Sequence, residues 1–305
     1  QYPRRFMRLI VLIILFCTGF QAFAQQLFPV KVEKRWGLID SDGEVVLSPV
    51  YEAIGEFKRF GYAVMQRDGG VGLLDRGGAE IVDPEYEDLK VLDSTLIEVR
   101  KNGVWQVIDL RGRTILPSGY QRVQVAGNRF LLFKQGDQWG IVDHRGKLVA
   151  SPRYDGVSFE GERFFLTRNE SAIGLLDSEG TELLPNIAQE ISIFSDSLFL
   201  YRKDDRWGAV DHTGRELLPP RYDSFSPVSG NFIKLIAGEG KCLLYSVPCR
   251  RVITGGEYQD FYAFSKKYII AKKERQLGLL DWCGEVVLSP QYAEIQSYHG
   301  PLFRV

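Results

Sequence analysis

The sequence predicts an all-β protein made of eight tandem units of about 34 residues, each a small antiparallel β-meander. One segment recurs: it reads KRWGLIDSDGEVVLSPVY at 34–51, DQWGIVDHRGKLVASPRY at 137–154 and DRWGAVDHTGRELLPPRY at 205–222. Strand-forming Val, Ile, Leu, Tyr and Phe are frequent between Gly-containing turns. No segment of useful length repeats its apolar residues with the period of a helix.

The period is marked by the aspartate that ends each Trp-Gly stretch. It stands at Asp40, Asp75, Asp109, Asp143, Asp177 and Asp211, with Tyr245 in its place in the seventh unit and Asp281 in the eighth. A closing aromatic residue follows at Tyr51, Tyr86, Tyr120, Tyr154, Tyr222, Tyr258 and Tyr292, while the fifth unit has Ala188. Self-similarity at a fixed period indicates repeated supersecondary units, so we interpret the repeat before any other motif.

Residues 129–159 show the elements of one unit in order. RFLLFK predicts a first strand, QGD a turn and WGIVD a second strand. DHRG has Asp first and Gly fourth, which favours a type I turn closed by a left-handed glycine. KLVAS predicts a third strand, and SPRY should end it because proline cannot donate to a ladder. YDGVSF then predicts a short fourth strand of the same meander.

Adjacent apolar residues predict that both faces of each sheet are covered. In GLID, GIVD and GAVD the two central residues are apolar, and neighbouring residues of a strand point to opposite faces. A unit this short cannot bury itself, so neighbouring units must cover it. A propeller-like ring with four strands per blade and an open twisted β-repeat stack both satisfy this requirement. The terminal PLFRV matches the first strand of a ninth unit.

The repeated side chains are interpreted as architecture rather than as a site. Apolar residues replace the tryptophan in other units, which indicates packing between units. The glycine after it should let a neighbouring backbone or ring approach closely, and the aspartate should hydrogen-bond the backbone of its own turn. These structural positions include Trp36, Gly37, Asp40, Trp105, Trp139, Gly140, Asp143, Trp207, Gly208 and Asp211.

This pattern resembles the bacterial WG repeats, also called KWG repeats. The resemblance is carried by Trp36-Gly37 through Asp40, Gly43, Pro49 and Tyr51, and by their echoes from about residue 28 to the end. It implies an all-β repeat region in a bacterial protein, often exported, that mediates interactions. It brings no catalytic residue with it.

Residues 1–24 have the layout of a secretory signal peptide. Arg4, Arg5 and Arg8 precede an apolar run from Leu9 to Cys17, and Ala22-Phe23-Ala24 forms an A-x-A cleavage site. The run is shorter than the roughly 20 apolar residues that span a membrane. Cleavage would leave residues 25–305 as the repeat domain of an exported protein. We expect it in the periplasm, in the outer envelope or outside the cell, without a transmembrane span.

The net charge disfavours polyanionic partners. The formal value is −1, and loss of the three leader arginines makes it −4. A chain without surplus positive charge is a poor partner for nucleic acid or for anionic membrane surfaces.

Three cysteines follow the leader, and an oxidising compartment would allow one pair among them. Cys242 and Cys249 are close enough in sequence to face each other across a hairpin, so they are the candidate disulfide. Unpaired buried thiols are the alternative. Neither C-x-x-C nor the Cys/His spacing of zinc sites occurs.

The sequence predicts no catalytic, metal or cofactor site. The turn aspartates lack the clustered oxygen ligands of a calcium loop, and neither G-x-S-x-G nor H-E-x-x-H occurs. We therefore expect a non-catalytic binding or scaffold module whose partner is a protein or a glycan. A propeller-type enzyme, with an acid–base pair that breaks the repeat, is the alternative.

Candidate binding residues are those that the packing does not require. The position after the turn aspartate should lie on one rim, and it holds Leu110, His144, His212 and Trp282. Tyr262 stands on the fourth strand where other units have small or polar residues. Exposed aromatic side chains there suit a protein contact or a sugar platform. The alternative is that they are scattered surface residues without a role.

Overall fold

The computed structural model describes residues 27–297 together with Phe303 and Arg304. Strands make up 64% of the structure, which confirms the all-β class and the tandem antiparallel organisation. The described residues fall into two compact units, one ending at Ser118 and the other beginning at Gly119. No helix that could cross a membrane occurs in this part of the chain. The predicted leader lies outside the described residues.

The first compact unit contains three antiparallel sheets in chain order. Sheet 1 is formed by β1 (Phe28–Val32), β2 (Arg35–Ile39) and β3 (Val45–Tyr51). Sheet 2 is formed by β4 (Ala53–Ile54), β5 (Ala63–Arg67), β6 (Gly70–Leu74) and β7 (Glu80–Tyr86). Sheet 3 is formed by β8 (Asp88–Val91), β9 (Leu96–Lys101), β10 (Val104–Asp109) and β11 (Thr114–Leu116).

The second compact unit contains five four-stranded antiparallel sheets among its described residues. Sheet 4 is β12 (Arg122–Ala126), β13 (Phe130–Gln135), β14 (Gln138–Asp143) and β15 (Leu148–Tyr154). Sheet 5 is β16 (Gly156–Glu160), β17 (Phe164–Asn169), β18 (Ala172–Asp177) and β19 (Glu182–Ala188). Sheet 6 is β20 (Glu190–Ser195), β21 (Leu198–Lys203), β22 (Arg206–Asp211) and β23 (Glu216–Tyr222).

The remaining elements complete this second compact unit. Sheet 7 is β24 (Ser224–Ser229), β25 (Phe232–Ala237), β26 (Lys241–Ser246) and β27 (Arg251–Val252), with a 3-10 turn at Gly238–Gly240. Sheet 8 is β28 (Asp260–Ala263), β29 (Tyr268–Lys273), β30 (Gln276–Asp281) and β31 (Val286–Tyr292). Last, β32 (Gln296–Ser297) pairs with β33 (Phe303–Arg304), as expected for the start of a further repeat.

The strand after each closing aromatic residue belongs to the following sheet. YDGVSF was expected to complete the meander of residues 129–159, but β16 pairs with β17. The Asp155 N–H donates to the Arg168 carbonyl at 2.8 Å, so the chain reaches the next sheet one residue after Tyr154. Each four-stranded sheet therefore combines residues from two sequence units, which corrects the predicted sheet boundary.

The third strand of the sequence unit continues through its proline, which also corrects the prediction. In sheet 4, Trp139 pairs with Tyr154 and Ile141 pairs with Ala150, so residues 151–153 bulge opposite Gly140. This strand, β15, is the last of its sheet. A proline is tolerated there because an edge strand leaves N–H positions without a ladder partner.

The glycine after the tryptophan makes room for this bulge. A Cβ atom at Gly208 would lie 2.8 Å from the Leu218 carbonyl oxygen. A Cβ atom at Gly278 would lie 2.7 Å from the Leu288 carbonyl oxygen. The six repeats with this glycine have seven-residue edge strands. Where Gln106 replaces it, the edge strand has only three residues. The side chain at this position therefore controls how far the edge strand continues.

The core lies between successive sheets within each compact unit. Leu175 and Leu176 are neighbours on β18, yet Leu175 packs in a cluster shared with sheet 6 and Leu176 in one shared with sheet 4. Phe164 and Phe165 on β17 divide in the same way. Both faces of sheet 5 are thus covered, as the paired apolar residues predict.

The repeat tryptophans are half-buried, and three of them pack at these junctions. Trp36 and Trp139 pack against the clusters beside their strands. Trp207 in sheet 6 meets Phe225 in sheet 7 edge-on, with 4.6 Å between ring centroids. Trp105 is also half-buried. Aromatic pairs in this geometry contribute roughly 0.5–1.5 kcal/mol beyond area burial.

The turn aspartates close the hairpins between the second and third strands of every unit except the seventh. The Asp143 Oδ1 atom accepts hydrogen bonds from the N–H groups of Arg145 and Lys147, at 2.9 and 2.8 Å. The Gly146 N–H donates to the Asp143 carbonyl, and Gly146 has a left-handed φ of 86°. Asp40, at 3.0 and 2.9 Å, and Asp211, at 2.9 and 3.1 Å, accept the same two backbone bonds.

Candidate binding surface

The seventh repeat lacks the turn aspartate and is built differently. Tyr245 takes its place with a fully buried side chain in the core between sheets 6 and 7. Burial raises the pKa of Tyr245 to about 12. Its hydroxyl has no hydrogen-bond partner among the described residues. Tyr245 therefore gives the turn none of the backbone bonds that an aspartate would supply.

Ser246 supplies part of the missing turn and ties it to the next repeat. Its buried hydroxyl accepts a hydrogen bond from the Cys249 N–H at 3.3 Å and donates to the Trp282 carbonyl at 2.6 Å. The Arg251 guanidinium donates to the Cys283 carbonyl at 3.3 Å. The seventh turn thus holds the backbone of the eighth at two successive carbonyl groups.

A disulfide between Cys249 and Cys283 joins the same two turns, with 5.9 Å between their Cα atoms. This corrects the Cys242–Cys249 pair expected from the sequence. Cys242 lies on β26 and is a buried free thiol in the core between sheets 7 and 8, whereas Cys249 lies in the turn beyond that strand. The two bonded cysteines are 34 residues apart, which is one repeat period, and this spacing was the signal that the sequence interpretation missed.

Trp282 projects from this anchored turn. The Asp281 Oδ1 atom accepts hydrogen bonds from the N–H groups of Cys283 and Glu285, at 2.9 and 2.8 Å. Trp282 is the second residue of the turn, and 49% of its surface is exposed. An aromatic side chain on a fixed backbone loses little conformational freedom on binding, and the indole N–H remains a donor.

Tyr262 lies on β28, in the same sheet as the Trp282 turn but two strands away from β30. It is 43% exposed. Asp260 on the same strand accepts an ion pair from Lys234 at 2.9 Å. Desolvation and then the Asp260 carboxylate raise the pKa of Tyr262. Tyr262 thus offers a second exposed ring of sheet 8.

The other predicted residues have different environments. His212 is exposed in the turn between β22 and β23. His144 is half-buried and lines a cleft of about 340 Å³ with polar neighbours that include Arg129 and Glu179. Leu110, in the first compact unit, is half-buried and packs against the core between sheets 2 and 3. Packing therefore accounts for the apolar side chain of Leu110.

The described residues contain no group of three or more His, Cys, Asp and Glu side chains placed to hold a metal ion. In the sixth repeat, the turn aspartate Asp211 has a shifted pKa. Burial tends to raise the pKa of Asp211, but hydrogen bonds from the Thr213 side chain and from the backbone of Thr213 and Arg215 outweigh it. The net pKa of this carboxyl lies below its usual value, so the turn carries a stabilised negative charge.

The family comparison matches the same repeat. A model described as WG containing repeat matches residues 36–70, 72–105, 139–166 and 207–234. The chain is a WG-repeat protein. The matched segments begin at or near the Trp-Gly position of the WG repeats, so the family model and the 34-residue period describe the same unit. No curated protein matches this WG-repeat protein in sequence.

Solved structures give only distant likenesses to the WG-repeat protein. The computationally designed Ika8 protein is 14% identical, with coverage of 92% of this chain and 95% of that one, and a TM-score of 0.26. A eukaryotic initiation factor is 10% identical, with 90% and 97% coverage and a TM-score of 0.32. BamB from Moraxella catarrhalis is 11% identical, with 80% and 89% coverage and a TM-score of 0.26. Scores this low do not establish a shared fold.

Proposed function

We propose that this WG-repeat protein is an exported, non-catalytic binding module that contacts a partner protein through the Trp282 turn. The observation that carries the proposal is the contrast between Trp282 and the repeat tryptophans. Trp282 is half exposed on a backbone fixed by Ser246 and by the Cys249–Cys283 disulfide. Rigid exposed aromatic side chains are enriched among residues that dominate protein interfaces.

Export is proposed on two features of the chain. The leader-like residues 1–24 would direct secretion, and a structural disulfide suits an oxidising compartment. We expect the cell-envelope fraction to contain a chain that starts at Gln25. N-terminal sequencing together with thiol counting would check this, and a chain found only in the cytosol with its leader intact would contradict it.

The binding role is tested by site-specific photocrosslinking in intact cells. A photoreactive residue at position 282 should capture one discrete envelope protein, whereas the same probe at Ser178 should not. Ser178 is the matched control because it occupies the same turn position in the fifth repeat. Equal capture from both positions, or capture at 282 that an excess of Trp282→Ala protein blocks as well as wild-type protein does, would refute the proposal.

A glycan is the second candidate partner, because Trp282 and Tyr262 are exposed aromatic rings of one sheet and sugars stack on such rings. Cosedimentation with purified cell-wall polysaccharide gives the measurement. The glycan proposal expects both Trp282→Ala and Tyr262→Ala to reduce the bound fraction. Unchanged binding in both variants would exclude it without affecting the protein-partner proposal.

A further inference from the structure

A loop in the second repeat departs from the pattern of the others. The first strand of sheet 2, β4, has only two residues, whereas β16 in sheet 5 has five. The last ladder bond runs from the Gly55 N–H to the Val64 carbonyl at 2.8 Å, and the chain then leaves the sheet. Residues 55–62 form a wide loop that a hydrogen bond from the Lys58 N–H to the Tyr62 carbonyl closes at 3.1 Å. The spacing from Asp40 to Asp75 is correspondingly 35 residues.

This loop borders an open cavity of about 390 Å³ within the first compact unit, which we call the loop cavity. Its apolar wall is formed by Val64 on β5, by Leu89 and Val91 on β8, and by the ring of Phe60. The Tyr62 hydroxyl donates to the Ser94 carbonyl at 2.8 Å, which fixes that ring between the two sheets. A volume of this size falls in the range of small-molecule sites.

The charged residues that line the loop cavity are exposed to solvent, and most of them are cations. Lys58, Arg59 and Lys90 line the loop cavity, against the single acid Glu56. Lys90 is 3.8 Å from Glu98, but the ion pairs of the described residues include neither Lys58 nor Arg59. The Arg59 guanidinium lies 5.3 Å from the centre of the Phe60 ring, next to the apolar wall.

Arg76 adds a fourth cation beside the loop. A Cβ atom at Gly61 would lie 3.2 Å from the Arg76 Nε atom, so this side chain lies against the loop backbone. Because the chain as a whole is acidic, a basic group of this kind is a local feature rather than an average property. An apolar wall with unpaired cations at its mouth is complementary to an amphiphilic anion.

We propose that the loop cavity binds a small carboxylate with an apolar body. The apolar body lies against Val64, Leu89 and Val91, and the carboxylate meets Lys58 and Arg59 at the mouth. An arginine fork suits a carboxylate because it donates two parallel hydrogen bonds. This site is separate from the Trp282 turn, and its test does not depend on the proposed partner protein.

Isothermal titration calorimetry with two acids distinguishes the possible sources of such a ligand. Dodecanoate represents a lipid-derived acid and indole-3-acetate an aromatic acid, and each has a neutral counterpart, dodecanol or indole-3-acetamide. We expect at least one acid to bind the intact chain with a Kd below about 1 mM, and its neutral counterpart to bind more weakly. Binding of neither acid, or equal binding of acid and neutral counterpart, would overturn the proposal.

Two variants locate the site. Lys58→Ala with Arg59→Ala should weaken acid binding about tenfold or more, because it removes both unpaired cations. Lys266→Ala with Lys267→Ala is the matched control, since it removes the same charge from the loop between β28 and β29. Val64→Asp should also abolish acid binding by placing a carboxylate on the wall. The Lys58/Arg59 variant tests the site even if Val64→Asp fails to fold. If the control pair weakens acid binding as much as the Lys58/Arg59 variant does, the acid does not bind in the loop cavity.

Discussion

The glycine after the repeat tryptophan has no side chain, and this lets the bulged edge strand pass close to it. At Gly140 the bulge of residues 151–153 passes over a backbone without a Cβ atom. At Gln106 the edge strand stops after Leu116. The turn aspartate also fixes the path of the backbone, because one of its carboxylate oxygens accepts hydrogen bonds from two backbone N–H groups. Both residues fix backbone paths, which is why they recur without forming a site.

Gly208→Ala should lower the free energy of unfolding by about 1–3 kcal/mol, since the new Cβ would press on the Leu218 carbonyl and force the backbone to shift. Urea titration followed by circular dichroism measures the change. Gly230→Ala is the matched control, because a Cβ atom there meets nothing within 4 Å. Similar losses of unfolding free energy in both variants would show that Gly208 is not required for the close approach of the Leu218 carbonyl.

Asp211 should make stability depend on acid pH. Its folded-state pKa is depressed despite burial, so the unfolded chain binds the proton first as the pH falls. The contribution is fully present above the unfolded-state pKa of about 3.9 and is lost as the pH falls through the folded value. Urea titrations at several pH values should show a shallower acid loss for Asp211→Asn than for the wild type.

Asp42→Asn serves as the control for this pH dependence, because Asp42 is exposed in the corresponding turn of the first repeat. If Asp211→Asn and Asp42→Asn have the same profile, the buried turn carboxylate does not contribute as described.

At the scale of elements, the closing aromatic residues link sheets that follow one another. Tyr51 on β3 is buried, and its hydroxyl contacts the Glu80 carboxylate on β7 of the next sheet. Arg67 on β5 reaches the same carboxylate, with its Nη2 atom 3.0 Å from Glu80 Oε2. Burial, then the hydrogen bond to Glu80, raises the pKa of Tyr51 to about 12. A polar contact thus reinforces the apolar packing between sheets 1 and 2.

Tyr51→Phe should lower the free energy of unfolding by about 1–2 kcal/mol, because the ring is kept while a hydrogen bond to a charged group is lost. Tyr222→Phe is the matched control. Tyr222 is equally buried, but among the described residues its hydroxyl accepts only a 3.4 Å contact from Arg221 on its own strand. The loss in Tyr222→Phe should therefore be smaller. Chemical denaturation compares the two, and a larger loss for Tyr222→Phe would contradict the role of the contact between sheets.

The elements also show what sequence reasoning was able to predict. The sequence predicted the turns at the aspartates and the burial of both faces of strands such as β18. Both features depend only on residues that are adjacent in the sequence. The continuation of β15 through Pro152 was missed, since proline alone suggests a break and only its edge position permits it. The transfer of β16 to the next sheet was missed because strand order in the meander does not reveal where one sheet ends.

At the scale of the whole molecule, contacts one period apart join successive repeats. The Cys249–Cys283 bridge is such a contact. It was not predicted, because its cysteines lie in equivalent turns of successive repeats and not in neighbouring strands of one hairpin. The loop cavity was missed for a related reason. Its apolar wall comes from two sheets, and the sequence showed only a one-residue irregularity in the period.

Removal of the bridge by Cys249→Ser with Cys283→Ser should lower the free energy of unfolding by about 3–4 kcal/mol, the value expected for a loop of this length. Reductant should cause a similar loss of stability in the wild-type chain and none in the double variant, because the double variant has no disulfide to reduce. The free thiol Cys242 is present in both chains, so it does not account for a difference between them. Urea titration with and without reductant measures this. A double variant that remains sensitive to reductant, or a wild type that is insensitive, would argue against the bridge.

The bulged prolines have a consequence for aggregation. Pro49, Pro84, Pro152, Pro220 and Pro290 each lie in the last strand of a sheet. An open sheet edge recruits strands from other chains through its row of N–H and C=O groups, as in amyloid. A kink and a missing N–H on the same edge interrupt that row. The prolines in these edge-strand bulges should therefore also oppose edge-to-edge pairing between copies of the chain.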